Sequence, residues 1–203
     1  PLLGRRTGIG TYVDRRLRAM RGTPDLSFTA TAFTFRGRGA LEGALPPGVG
    51  RRSLPVPRQL LDPLWRLGWP PVELLCGPVE VFHGTNFTLP PLRSARGVLS
   101  VHDLSYRHSA DTVSAASRRY RSTVAEGLAR AQVVCTLSHA MAAEIAAEYH
   151  LDPAGIVVAP PGVEESWFTA QPVPDVLAEL GLPERYLLAV GTLEPRKNLP
   201  LLI

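Results

Sequence analysis

A chain of 203 residues with 45% hydrophobic and 20% charged residues has the composition of a soluble globular protein, with enough chain for one well-buried domain and a little more. No apolar run approaches the roughly 18–20 residues of a membrane span, the opening Pro1-Leu-Leu-Gly-Arg-Arg lacks a signal pattern, and two cysteines, Cys76 and Cys135, are too few for a disulfide framework and read as reduced residues of a cytoplasmic protein. A net charge of +4 favours anionic partners such as phosphorylated ligands or an anionic membrane face, while the lack of zinc spacing, RNA-binding aromatic motif or continuous basic helix argues against nucleic acid.

Residues 4–12, Gly-Arg-Arg-Thr-Gly-Ile-Gly-Thr-Tyr, read as a glycine-rich loop, in which Gly8 and Gly10 allow positive φ and close approach of a ligand. A helix from about Thr11 to Arg21 follows, with Val13, Leu17 and Met20 on one face and arginines on the other. A strand is expected before such a loop, so the chain reads as starting just after its first strand. Leu26 to Phe35 alternates and reads as a strand. Residues 36–58, rich in Gly, Pro and Arg, read as a long exposed loop. Leu60 to Leu75 suits a short helix broken at Pro70-Pro71, with Trp65 and Trp69 as packing residues.

Four short apolar runs come next: Val79–Phe82, Gly97–Val101, Val133–Leu137 and Ile156–Ala159. They do not alternate, which suits a parallel sheet covered on both faces. Helices are expected between them at about Ser114–Arg130 and Ala140–His150, the second with Ser138 as N-cap. Strands alternating with helices argue for an α/β, Rossmann-like doubly wound parallel sheet. Residues 171–185 have linker composition with a short helix at Val176–Leu182. Tyr186–Val190 reads as a buried strand, and Leu199–Ile203 as a helix start.

Between those last two lies Gly191-Thr-Leu-Glu-Pro-Arg-Lys-Asn198. Arg196 and Lys197 beside a helix N-terminus make a site for phosphate oxygens. Of the 22 Lys and Arg residues, Lys197 alone is lysine, which suggests a need for a compact ammonium that a planar guanidinium does not meet.

This loop resembles the one that opens the C-terminal domain of family 4 retaining glycosyltransferases, especially their mannosyltransferase-like members. Gly8-Ile-Gly-Thr-Tyr12, His83-Gly-Thr-Asn-Phe87 and Val101-His-Asp-Leu104 extend the resemblance in the family's order. It implies a GT-B architecture of two facing Rossmann-like domains: residues 1–170 an acceptor-side domain without its first strand, 171–185 a linker, and 186–203 the start of a donor-binding domain. On that reading residues 1–203 alone would show no transfer. The resemblance implies that the family's paired-glutamate motif would fall beyond residue 203.

His83, His102, Asp103 and Ser138 stand at the ends of expected strands, where open parallel sheets bind ligands. The resemblance makes His102 the catalytic residue, in contact with the donor sugar. It puts Arg196, Lys197, Gly8 and Gly10 at the donor phosphates, and Tyr12, His83, Asn86, Asp103 and Ser138 on the acceptor or sugar side. Asp103 equally suits a helix cap. No metal is expected, since no Asp-x-Asp occurs and the family stabilises its departing diphosphate with cationic side chains. The expected function is sugar transfer from a nucleotide diphosphate donor to a saccharide or lipid-linked acceptor, with room for peripheral membrane contact. A sugar- or phosphate-binding module without catalysis and a nucleotide-sugar epimerase of the same architecture are the alternatives.

Overall fold

The computed structural model describes residues 2–3, 8–34, 38–108, 119–171, 174–183, 185–191, 193 and 197–202. Its elements run α1 (Gly8–Met20), β1 (Thr29–Phe33), α2 (Arg38–Ala44), β2 (Gly50–Leu54), α3 (Arg58–Arg66), α4 (Val72–Cys76), β3 (Val81–Gly84), β4 (Arg96–Ser100), α5 (Ser105–His108), α6 (Tyr120–Leu128), β5 (Val133–Thr136), α7 (His139–Tyr149), β6 (Ile156–Val158), α8 (Glu165–Thr169) and α9 (Pro174–Glu179).

The fold is α/β with parallel sheets, consistent with a Rossmann-like GT-B N-terminal domain. Strands β3-β4-β5-β6 form one sheet in that order, and β1-β2 pair separately. Every ladder is parallel. Parallel strands need both faces covered, and the sequence meets that need with short runs lacking alternation. Leu99 and Val101, within and just beyond β4, are fully buried, as are Val124 of α6 and Ile145 of α7. Phe87, Leu89, Leu104, Tyr106 and Ile156 belong to the same cluster. Each such side chain removed from water is worth about 1.5–3 kcal/mol.

Two polar clamps fix how the helices meet this sheet. The Glu73 carboxylate of α4 accepts backbone N–H bonds from Arg93, Ser94 and Ala95 at 2.9–3.0 Å, tying α4 to the entry of β4. Arg130, after α6, donates to the carbonyls of Leu89 at 3.2 Å and Trp65 at 2.7 Å. Trp65 in turn meets Phe33 of β1 edge-on at 5.2 Å. At Gly84 a Cβ would stand 2.2 Å from the Thr88 carbonyl oxygen, so the chain folds back closely there because the position has no side chain.

Five expectations are corrected. Residues 36–58 are not one loop: α2 buries Leu41, and β2 pairs with β1. The polar Gly50-Arg-Arg-Ser-Leu54 forms a strand because β1 supplies a ladder, not because its own pattern is apolar. Trp65 is core, but Trp69 is 60% exposed beyond the end of α3. Gly8 and Gly10 lie inside α1, and neither has positive φ. Tyr186–Val190 forms no strand: Leu187 is 93% and Val190 89% exposed, and the described residues offer no neighbouring strand to take its backbone hydrogen bonds. The chain after Asn198 makes a 3-10 turn over Leu199–Leu202. No helix among the described residues is long and apolar enough to cross a membrane.

Candidate functional site

Because β3 to β6 are parallel, their C-terminal ends share one edge. Helix α1 borders that edge: Ile9 packs against the core cluster and Tyr12 meets the His102 ring edge-on at 5.7 Å.

His102 follows β4 and is 9% exposed. Its Nε2 lies 2.9 Å from the Thr85 carbonyl oxygen. A carbonyl only accepts, so Nε2 carries the hydrogen and Nδ1 of the neutral ring is left as a bare acceptor. Burial pushes the His102 pKa down. The Thr85 bond and the Asp103 charge oppose that shift, the Arg16 charge adds to it, and the net result is a lowered value. The ring is held between Tyr12 and Phe87, the latter edge-on at 5.4 Å.

His83 lies within β3, its Nε2 2.8 Å from the Ser100 Oγ of β4. Burial, then the charges of Arg16 and His102, lower its pKa to about 4. Both imidazoles are therefore neutral at pH 7.

The loop between His83 and β4 wraps over the edge. Phe87 takes a φ of 57°, a strained conformation for a bulky residue. It is held there by its N–H bond to the Ser100 carbonyl at 3.1 Å and by stacking on Tyr120 at 4.5 Å. Asn86 donates to the Tyr120 hydroxyl at 3.5 Å, while its Oδ1 is buried with no partner. Asp103 accepts from the Ser105 N–H at 2.9 Å and hydroxyl at 2.6 Å, so it caps α5. Ser138 caps α7 through the Met141 N–H at 3.1 Å. Gly8 and Gly10 lie in the first turn of α1, whose N–H groups have no intrahelical acceptors.

The edge thus brings together Tyr12, His83, Asn86, His102 and Asp103. Lys197 is exposed, and no hydrogen bond or ion pair among the described residues joins it to the histidines. Arg196 lies outside the described residues.

Arg16 is the residue that sequence reasoning passed over. It reaches the Tyr12 hydroxyl at 3.4 Å, its charge is felt at both histidines, and it opposes the rise that burial imposes on the Cys135 thiol. Its signal was its spacing: four residues after Tyr12, it shares a helix face with a residue already assigned to the site.

The family model described as Glycosyltransferase Family 4 matches residues 6–167, taking in α1, both histidines and the whole four-stranded sheet. No curated protein matches the sequence. The family match spans every element that delivers a side chain to the strand edge, and the chain belongs to glycosyltransferase family 4.

Proposed function

We propose that the protein transfers a sugar from a nucleotide diphosphate donor to a saccharide or lipid-linked acceptor, with retention at the anomeric carbon. The observation that carries this reading is the His102 geometry: a neutral imidazole at a strand end, its tautomer fixed by the Thr85 carbonyl and its ring held between Tyr12 and Phe87. A bare Nδ1 in that place suits acceptance of a hydrogen bond from a sugar hydroxyl. The first-turn N–H groups at Gly8 and Gly10 suit a donor phosphate, with Arg196 and Lys197 supplying positive charge to the departing diphosphate in place of a metal ion. Mannose is the sugar favoured by the resemblance of residues 191–198. His83, Asn86, Asp103 and Ser138 serve the acceptor side, the last two by holding the ends of their strands in place. Leu60, Leu64, Leu67 and Trp69 form an exposed apolar stripe that suits peripheral contact with the membrane holding a lipid-linked acceptor. The nucleotide-sugar donor and the two buried free thiols favour a cytoplasmic setting.

The test is a screen of nucleotide-sugars and acceptors by mass spectrometry with the purified protein. Transfer is expected, and His102→Ala should lower it about 100-fold or more, the scale of removing one preorganised polar contact from a transition state. Undiminished transfer by His102→Ala would overturn the role of His102. Interconversion of the donor sugar without transfer would replace this reading by the epimerase.

A further inference from the structure

Many of the described arginines have an acidic partner: Arg15 with Glu164, Arg18 with Asp14, Arg58 with Asp62, Arg107 with Glu148. Arg16 has none among the described residues. It is half-buried, its hydrogen-bond partner is the Tyr12 hydroxyl, and its charge opposes the rise that burial imposes on the Cys135 thiol. A guanidinium that has lost part of its water without gaining a counter-charge is costly, and its planar fork of donors matches a carboxylate or phosphate.

The surroundings leave that charge unanswered. His83 and Ser100 bond to each other, His102 is bonded to a backbone carbonyl, and the Asp103 carboxylate is engaged by Ser105. Arg16 also stands apart from the place proposed for the donor phosphates. It lies eight residues along α1 from Gly8, about 12 Å of helix axis at 1.5 Å per residue.

We propose that Arg16 binds an oxyanion carried by the acceptor, a phosphate or a carboxylate, so that the acceptor is an anionic sugar or polyol seated between α1 and the ends of β3, β4 and β5. The acceptor assignment rests on the glycosyltransferase reading; the oxyanion site itself does not. A bound oxyanion offsets the Arg16 charge, which acts from α1 on both His83 of β3 and His102 beyond β4. The two histidines then take up protons more readily, and by linkage the oxyanion binds more tightly as pH falls.

The experiment is a proton–nitrogen NMR titration of His83 and His102 in the full chain, alone and with inorganic phosphate, acetate or guanosine diphosphate. Phosphate or acetate should raise the His83 midpoint saturably by about half a unit or more, and which of the two does so identifies the oxyanion. The shift should vanish in Arg16→Gln and persist with weaker binding in Arg16→Lys. Absence of any shift, or an equal shift in Arg16→Gln, would overturn the proposal. If circular dichroism shows Arg16→Gln unfolded, Arg16→Lys decides, and unchanged affinity there would overturn it. Guanosine diphosphate that reproduces the shift and competes with phosphate would give the site to the donor and end the acceptor assignment. Because nothing here depends on turnover, oxyanion binding without detectable transfer would sink the function proposed above and leave this site standing.

Discussion

The Nε2 of His83 and the Oγ of Ser100 lie 2.8 Å apart across β3 and β4, so an imidazole kept neutral by burial and by the Arg16 charge is also a cross-strand tie. Its titration has a stability consequence. Above pH ~6.5 the ring is neutral whether the chain is folded or not, and it adds nothing to the pH dependence. Below that, the unfolded chain takes up a proton that the folded one refuses until about pH 4. Stability therefore falls as pH drops through this window, by about 2–3 kcal/mol from this group. Urea unfolding at pH 7.5 and 4.5 should show His83→Gln losing about 2 kcal/mol less than wild type. Equal losses in both proteins would show that the His83 environment is not the cause.

Lys197 sits exposed between Gly191 and the 3-10 turn. On the proposed function, a lysine holding a developing diphosphate charge lowers the barrier by about 2–4 kcal/mol, or roughly 30- to 1000-fold in rate. Lys197→Ala should lose turnover on that scale without loss of fold, and Lys197→Arg should recover part of it. A cation that serves only the surface is worth under about 1 kcal/mol, so wild-type kinetics in both variants would remove Lys197 from the mechanism.

The Glu73 clamp is charge-dependent. Burial raises the Glu73 pKa, but the backbone N–H bonds from Ala95, Ser94 and Arg93 together outweigh it, and the net value is lowered. Glu73→Gln should cost about 1–2 kcal/mol at pH 7, the difference between a charged and a neutral acceptor for these bonds. A depressed carboxylate contributes stability above its unfolded pKa and loses it as pH falls through the folded one. The gap between Glu73→Gln and wild type should therefore close below pH ~4, as read by chemical unfolding across that range. A gap that persists unchanged at pH 3 would count against the charge.

Two glycines should respond oppositely to the same substitution. In Gly84→Ala the new methyl would meet the Thr88 carbonyl oxygen at 2.2 Å, and the loop before Leu89 must move, costing about 2–4 kcal/mol. Gly43, inside α2, has nothing within 4 Å, and Gly43→Ala should gain up to about 1 kcal/mol of helix stability. Thermal unfolding of the pair checks both signs at once.

Much of the fold was legible because the strands of its larger sheet are short apolar runs, with the central pair β4 and β5 mostly buried. Val133–Thr136 and Ile156–Val158 are apolar without alternation, and the helix capped by Ser138 begins one residue from where it was expected. The strand Gly50–Leu54 was illegible because its two arginines carry no strand pattern, and only its ladder with Thr29–Phe33 makes it one. Tyr186–Val190 fails in the opposite sense: the pattern is right, but no ladder is there among the described residues. At the site, His83 and His102 could be found as strand-end histidines. Arg16 was harder to find: its spacing from Tyr12 was the one signal, and an arginine on the polar face of an amphipathic helix otherwise looks like any solvated charge until the fold turns that face toward the strand ends.

The separate pairing of β1 with β2 has a consequence for motion. Side chains hold this pair to the rest of the chain, through Phe33 against Trp65 and the Arg52 bond to the Cys76 carbonyl at 2.8 Å, and no described backbone ladder joins it to the four-stranded sheet. Opening it breaks these side-chain contacts, the Arg51–Glu42 ion pair to α2 and one short ladder but leaves the Leu99 and Ile145 core dry, so it should open as a foldon of lower free energy than the global unit. In deuterated solvent the amides of Thr29–Phe33 and Gly50–Leu54 should exchange together and early, while those of Val98 to Ser100 wait for the whole molecule to unfold.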